Sequence, residues 1–213
     1  MIQKAILFDL DGTLTDSGEG IMNCATLALE HYGLPVPDRE TMREIVGPPL
    51  RDSFIKYGIP VEEVENAIAI FRGRYTTIGK YENRPYKGIV EMLAALKAQG
   101  HKLYIATSKP EPQAKDILAH FDLIKFFDLV AGASADESRA TKEEVIEYLK
   151  SMAGEVAQPV MIGDTVYDVK GAAVHGIPAI GVSWGYGNVA DMVAAGAKAI
   201  ADTPEQLMEL INT

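Results

Sequence analysis

The chain has 213 residues, 47% of them hydrophobic and 23% charged, which is typical of one large globular domain or a core with a smaller lobe. Its net charge of −10, from 20 basic and 30 acidic residues, argues against a nucleic acid polymer as partner, because phosphate backbones need a basic stripe. The chain lacks an apolar run of roughly 18 residues, which argues against a membrane span. The single cysteine, Cys24, excludes an internal disulfide and is typical of a reducing compartment. We therefore expect a cytoplasmic protein.

The first predicted element is a short buried strand over residues 4–9, which runs into Asp9-Leu10-Asp11-Gly12-Thr13. Residues two apart in a strand point to the same face, so Asp9 and Asp11 converge if the extended geometry persists. Carboxylates gathered at a strand end repel each other and lose solvation, which favours a site that binds a cation or performs a reaction. Gly12 allows a sharp turn and the close approach of a ligand to the main chain.

Residues 16–84 contain no convincing strand, but they show amphipathic helical patterns at 18–32, 50–56 and 61–78. Roughly seventy residues are too many for one crossover within a compact sheet. We therefore predict a helical cap domain at 16–84, inserted into a core domain made of 1–15 and 85–213. An insert at this position is expected to lie over the carboxylates as a lid.

The remainder of the chain alternates helix and strand. Further buried strands are predicted at 102–107, 128–131, 159–162 and 179–182. The helical pattern over 88–99 ends at Gly100, and Thr141 with Glu144 forms the capping-box signature of a helix start. This alternation predicts an α/β fold with a doubly wound, mostly parallel sheet.

Polar residues follow three of the predicted strands, where open parallel sheets bind their ligands. Thr107 and Ser108 follow the second strand, and Asp164 follows the fourth, with Asp168 four residues later. A helix beginning at Asp164 would place Asp164 and Asp168 on one face of its first turn. Four carboxylates from two distant segments, with hydroxyls and a lysine, predict a Mg²⁺ site that handles phosphate.

These segments resemble the motifs of the haloacid dehalogenase-like (HAD) hydrolases, in particular the phosphoglycolate phosphatase-like branch with a helical cap on a Rossmann-like core. Asp9-Leu-Asp11-Gly-Thr13-Leu is similar to the first motif, Thr107 in Ile-Ala-Thr-Ser-Lys to the second, and Gly163-Asp164-Thr-Val-Tyr-Asp168 to the fourth. The third motif is a lysine. Lys142 at the predicted helix start is the favoured candidate, and Lys109 and Arg139 stay open.

The resemblance implies a Mg²⁺-dependent phosphomonoester hydrolase that forms an aspartyl-phosphate on a small phosphorylated metabolite. Asp9 would be the nucleophile and Asp11 the general acid and base, because a phosphate ester, unlike a halide, leaves with a proton. The catalytic set would be completed by Thr107 and Lys142. Mg²⁺ would be held by Asp9, the Asp11 main-chain carbonyl and Asp164, with Asp168 ligating through water or orienting Asp164.

The substrate-binding residues implied in the same way are Gly12, Thr107, Ser108, Lys142 and Arg51. Arg51 lies in the predicted cap and would meet a substrate carboxylate or second phosphate, or else is an exposed helix arginine without a role in binding. Phosphoglycolate, nucleoside monophosphates and sugar phosphates all stay open as substrates, and so do a monomer and a homodimer. The alternative functions are a phosphosugar mutase of the same fold and a phosphate-sensing or scaffold protein without turnover.

Overall fold

The computed structural model describes residues 3–134, 136, 138–154 and 157–213. The chain forms two compact units: Asp16–Arg84, here called the helical unit, and a sheet unit that combines the residues up to Thr15 with Pro85–Thr213. Among the described residues, no helix is long and apolar enough to cross a membrane.

The helical unit is built from four α-helices within residues 16–84, with 3₁₀ turns between them: α1 Gly18–His31, α2 Arg39–Met42, α3 Leu50–Lys56 and α4 Val64–Tyr75. Its interior is lined by one face of α1 and by an aromatic cluster. Phe71 stacks on Tyr75 with ring centroids 5.3 Å apart and meets Phe54 edge-on at 6.3 Å. Cys24 is fully buried on the apolar face of α1, as its helical spacing predicts.

The sheet unit contains, within its described residues, one six-stranded sheet. Its strands are β1 Ala5–Phe8, β2 Lys102–Pro110, β3 Leu129–Ala133, β4 Pro159–Gly163, β5 Ala179–Val182 and β6 Ala199–Ala201. Their order is β3-β2-β1-β4-β5-β6, and every neighbouring pair is parallel. In the centre, Ala5 lies in register with Lys102 on one side and Pro159 on the other. The predicted α/β, doubly wound fold is confirmed.

The helices of the sheet unit are α5 Ile89–Ala98, α6 Glu111–His120, α7 Lys142–Ala153, α8 Val166–Val174, α9 Val189–Ala194 and α10 Pro204–Asn212. They cover both faces of the sheet, which is why the strands are apolar on both sides. The alternation along β1 shows this directly. Ile6 and Phe8 join one core cluster, while Ala5 and Leu7 join the other.

Local signals in the sequence set several boundaries correctly. Helix α5 ends before Gly100, whose φ of +86° suits a glycine, and α7 begins with the Thr141–Glu144 capping box. Several features differ from the prediction: β3 runs on to Ala133, and the helix predicted at 61–78 is a 3₁₀ turn followed by α4. Strand β2 runs on to Pro110, and β6 was not predicted, because Ala-Ile-Ala is short and alanine has a low strand propensity.

Candidate active site

The topology of the sheet unit brings the acidic strand ends together. Strand β1 lies between β2 and β4, so the strand order reverses beside it, and open α/β sheets bind ligands at such a point. The backbone amide of Asp9 donates to Ile162 O at 2.9 Å and thereby extends the pairing of β1 with β4. The residues that follow both strands therefore meet at one edge of the sheet.

Three of the predicted metal residues form a buried cluster, the aspartate trio of Asp9, Asp164 and Asp168. One carboxylate oxygen from each lies within 4.8 Å of the other two. Asp9 is 9% exposed, and the other two are 1% exposed. Gathering three carboxylates out of water is costly unless cations compensate them.

Lys142, the first residue of α7, is the cation that this structure places against the trio. Its Nζ lies 3.0 Å from Asp9 Oδ1 and 2.9 Å from Asp168 Oδ1, and it donates to Ala106 O at 2.8 Å. The residue is 4% exposed. The side chain therefore links the end of β1, the middle of β2 and the start of α8.

The other two candidate cations are engaged elsewhere. Lys109 Nζ pairs with Asp11 Oδ2 at 2.5 Å, and both side chains are largely buried. Arg139 pairs with Glu111 at 3.0 Å, donates to Gly132 O at 2.6 Å and lies 3.7 Å over the Tyr148 ring. Lys109 thus forms an ion pair with Asp11. Arg139, which lies between β3 and α7, binds Glu111 on α6 and the carbonyl of Gly132 on β3.

Asp164 is held by neutral donors on both of its oxygens. The Thr13 hydroxyl donates to Oδ1 at 3.0 Å, and the Tyr186 amide donates to Oδ2 at 2.9 Å. Gly12, with a φ of +81°, passes so close that a Cβ there would stand 2.2 Å from Asp164 Oδ2. Another residue at position 12 would displace the carboxylate as well as strain the turn.

Asp168 plays a different part in the local structure. Helix α8 begins at Val166, with Thr165 as its N-cap, so Asp164 precedes the helix and the expectation that both carboxylates share its first turn is wrong. Asp168 Oδ2 accepts from Thr165 N at 3.0 Å and from Thr165 Oγ1 at 2.8 Å. The carboxylates of Asp164 and Asp168 still lie close together, because the turn after β4 directs the Asp164 side chain toward Asp9 and Asp168.

Burial dominates the electrostatics of the trio. It raises the pKa of Asp9 to about 6, although the neighbouring Lys142 opposes the shift. Burial, together with the charges of Asp168 and Asp9, raises the pKa of Asp164 to about 8. For Lys142, burial disfavours the ammonium, but Asp168 and Asp9 more than compensate and raise its pKa above the usual range.

Comparison with known proteins identifies the family. The family model described as haloacid dehalogenase-like hydrolase matches residues 6–182, from β1 to the end of β5. The chain belongs to this family. The match includes the four segments that carry the aspartate trio, Thr107 and Lys142, so the predicted resemblance is confirmed.

The names of curated relatives state several functions. The HAD-like chain is 42% identical over 185 residues to the tyrosine-protein kinase PtkA of Mycobacterium tuberculosis and to a 5′-nucleotidase of Pseudomonas aeruginosa, with 86% of the chain covered in both. The match spans 63% of the kinase's length and 84% of the nucleotidase's. It is also 31% identical over 214 residues to a phosphoglycolate phosphatase of Cupriavidus necator, covering 98% of the chain and 93% of that enzyme.

Solved structures agree with the fold. The crystal structure of a predicted phosphatase from Clostridium acetobutylicum superposes with a TM-score of 0.93 at 39% identity, covering 100% of this chain and 99% of the other. The HAD-like chain therefore has the fold of a phosphatase-like relative over its whole described length.

The remaining predicted site residues lie in different surroundings. Thr107 is 2% exposed, and its hydrogen bond to Asp9 favours the ionised carboxylate. Ser108 is exposed, whereas its neighbours in β2 are buried. Arg51 lies in the helical unit, on α3, with an exposed side chain that pairs with Glu65. The substrate-binding roles of Ser108 and Arg51 stay predictions.

Three contact residues of the HAD-like site were not assigned from the sequence: Thr13, Trp184 and Tyr186. Thr13 and Tyr186 donate to Asp164, and the Trp184 indole donates to Thr13 O at 3.0 Å. The glycines that alternate with the aromatics in Trp184-Gly185-Tyr186-Gly187 are the signal that indicates a close approach of this segment.

The residues present suit a hard divalent cation such as Mg²⁺. The donor atoms of the trio are carboxylate oxygens, which hard cations prefer, and Lys142 is paired with two of the three carboxylates. Asp11 Oδ1 is buried and has no hydrogen-bond partner among the described residues. One carboxylate of the trio therefore has no cationic partner, and the buried Asp11 Oδ1 no hydrogen-bond partner, among the described residues, and a bound cation and a phosphate ester would supply these partners.

Proposed function

We propose that the protein is a Mg²⁺-dependent phosphomonoester hydrolase that forms an aspartyl-phosphate on Asp9. The observation that carries the proposal is the convergence of Asp9, Asp164 and Asp168, of which Asp9 and Asp168 pair with Lys142, with Asp11 two residues beyond Asp9. The names of the relatives support a small phosphate ester as substrate.

In the first half of the reaction, a carboxylate oxygen of Asp9 attacks the phosphorus and the bond from phosphorus to the ester oxygen breaks. Asp9 is oriented for this step because its Oδ1 accepts from Leu10 N at 2.8 Å and contacts Lys142. The leaving alkoxide takes a proton from Asp11. The Thr107 hydroxyl and the Lys142 ammonium bind the phosphoryl oxygens and stabilise their charge.

In the second half, Asp11 takes a proton from water, whose oxygen attacks the phosphorus. The bond between phosphorus and the Asp9 oxygen breaks, which releases inorganic phosphate and restores both carboxyl groups. Lys109, paired with Asp11 Oδ2, holds the Asp11 side chain for both transfers.

The proposed Mg²⁺ ligands are Asp9, the Asp11 main-chain carbonyl and Asp164, with Asp168 in support. When bound, the cation reduces the repulsion between an anionic nucleophile and an anionic phosphate. Arg51, on α3, is the proposed contact with the non-reacting part of the substrate.

The first test measures phosphate release from phosphoglycolate, nucleoside monophosphates and sugar phosphates in MgCl₂. We expect release that is lost in EDTA and in Asp9→Asn. The matched control is Asp191→Asn, which removes an exposed carboxylate from α9 and is expected to keep full activity. ATP with and without a tyrosine peptide is included, because one relative is named a tyrosine kinase. A folded, Mg²⁺-loaded protein that releases phosphate from none of the esters would contradict the proposal.

The role of Asp11 is tested with leaving groups of different basicity. In Asp11→Asn, hydrolysis of alkyl phosphates should fall by about 10²–10⁴-fold, because the alkoxide needs a proton. With 4-nitrophenyl phosphate the first step should survive and the second should be slow, so rapid mixing should show a burst of nitrophenolate equivalent to the enzyme. An equal loss of the first step for both esters would show that Asp11 is not the acid.

A further inference from the structure

The segment Trp184–Gly187, which follows β5 and is here called the Trp184 segment, packs directly against Asp164. The Tyr186 amide donates to Asp164 Oδ2 at 2.9 Å. A Cβ on Gly185 would stand 2.3 Å from both Cβ and Oδ2 of Asp164. The backbone of this segment therefore forms one wall of the pocket that holds the carboxylate.

The same segment reaches the other oxygen of Asp164 through Thr13. The Trp184 indole donates to Thr13 O at 3.0 Å, and the Thr13 hydroxyl donates to Asp164 Oδ1 at 3.0 Å. Thr13 is 1% exposed, so water competes little for these bonds. The segment fixes Oδ2 directly and Oδ1 through one intermediate residue.

The ring of Trp184 is itself immobilised by packing. It is partly buried against the core cluster that contains Phe8 and Ile180, and it meets Tyr86 edge-on with centroids 6.4 Å apart. The indole N–H is thus a donor on a rigid support, which is the arrangement that preorganises a metal ligand.

We propose that Trp184 is a positioning residue of the metal site: its indole N–H, acting through Thr13, sets the orientation in which Asp164 binds the cation. The inference rests on the proposed function only in assuming that Asp164 is a Mg²⁺ ligand. Each Asp164 oxygen accepts one of these bonds and keeps acceptor capacity for a cation. Loss of such an outer partner typically lowers metal affinity 10–100-fold.

The experiment measures Mg²⁺ affinity by calorimetry on the full chain. Trp184→Phe keeps an aromatic ring against Tyr86 but removes the N–H donor, and it should raise the Kd for Mg²⁺ about tenfold. Gly185→Ala adds a methyl group against Asp164 and should raise Kd at least as much. Because the φ of Gly185 lies outside the left-handed region, its effect reports the contact and not backbone strain. Tyr32→Phe is the control, since it removes an aromatic donor from the helical unit and should leave Kd unchanged.

A second readout uses the wild-type protein alone. Trp184 is the only tryptophan of the chain, so its fluorescence reports on this segment, and we expect MgCl₂ to shift its emission with the same Kd that calorimetry gives. A Trp184→Phe variant that loses thermal stability in EDTA but binds Mg²⁺ with the wild-type Kd would overturn the inference, because its role would then be structural only.

The two proposals fail differently. If the wild-type protein binds Mg²⁺ but hydrolyses no ester, the proposed hydrolase function is contradicted. The Kd of the Trp184→Phe variant for Mg²⁺ then decides the positioning role of Trp184. Wild-type protein that hydrolyses esters, beside a Trp184→Phe variant of unchanged Kd, supports the hydrolase and overturns the positioning role. Wild-type protein without Mg²⁺ affinity overturns both.

Discussion

Lys142 shows how one side chain satisfies demands of stability and chemistry together. It contacts two members of the aspartate trio and donates to the carbonyl of Ala106, all within 3.0 Å. A buried ion pair adds little net stability compared with apolar packing, but removal of one partner leaves an uncompensated buried charge. The site therefore depends on Lys142 before any substrate arrives.

We predict that Lys142→Met lowers the free energy of unfolding of the metal-free protein by about 3–5 kcal/mol near neutral pH, because Asp9 and Asp168 lose their counter-ion. Urea titration followed by circular dichroism measures this change. The control is Lys125→Met, which removes an exposed partner of Asp122 and should cost no more than about 1 kcal/mol. Equal losses in the two variants would show that Lys142 does not stabilise the buried carboxylates.

At the scale of secondary-structure elements, the start of α8 serves both the helix and the site. Asp168 accepts from the Thr165 amide and hydroxyl through Oδ2 and contacts Lys142 through Oδ1. The bonds of the cap thus fix the rotamer that presents Asp168 to Lys142. The N-terminal end of the helix also favours a carboxylate through its dipole.

We predict that Thr165→Ala lowers stability by about 1 kcal/mol and also raises the Kd for Mg²⁺, because Asp168 loses a donor that orients it. Thr203→Ala is the matched control, since Thr203 is the N-cap of α10 and accepts from Gln206 N at 3.2 Å, outside the trio. It should lower the midpoint of thermal unfolding similarly without changing Kd. A Thr165→Ala variant with unchanged Kd would mean that Asp168 is oriented by Lys142 alone.

The elements that could be predicted from the sequence are those with a local physical signal. Apolar runs predict β1 to β5 because parallel strands are buried on both faces, and the Thr141 capping box predicts the start of α7. The acidic pair after β1 and the acidic residue after β4 are also visible, since each directly follows such a run.

The features that could not be predicted depend on contacts between distant segments. Lys142 begins α7 and Lys109 lies near the end of β2, and only the packing of these two elements decides that one lysine pairs with Asp9 and the other with Asp11. The donors to Asp164 lie 151 residues before it and 22 residues after it in the chain. No periodicity within one segment carries that information.

For the molecule as a whole, the aspartate trio makes the stability of the metal-free protein depend on pH in an unusual direction. Most carboxyl groups of the protein whose pKa is shifted, such as Asp128 and Glu82, have a lowered pKa. They stabilise the folded protein once they are ionised, and this ionisation is complete at acidic pH. Asp9 and Asp164 have a raised pKa, about 6 and about 8, against 3.8 for the unfolded chain. Their contribution is fully present below pH 3.8 and is lost as pH rises through these folded values.

We therefore predict that, in EDTA, the free energy of unfolding falls between about pH 4 and pH 8, because the folded protein binds more protons than the unfolded chain in this range. Lys142 adds no slope there, since its raised pKa concerns more alkaline conditions. Excess Mg²⁺ should oppose the fall, and its stabilising effect should grow with pH as protons leave the trio. Urea titrations across this range, with and without MgCl₂, measure both effects.

Asp164→Asn is the control that removes the group with the larger pKa shift, and it should flatten the pH profile of the unfolding free energy in EDTA. A wild-type profile that is already flat, or that rises toward pH 8, would mean that the trio ionises in the folded protein as readily as in the unfolded chain.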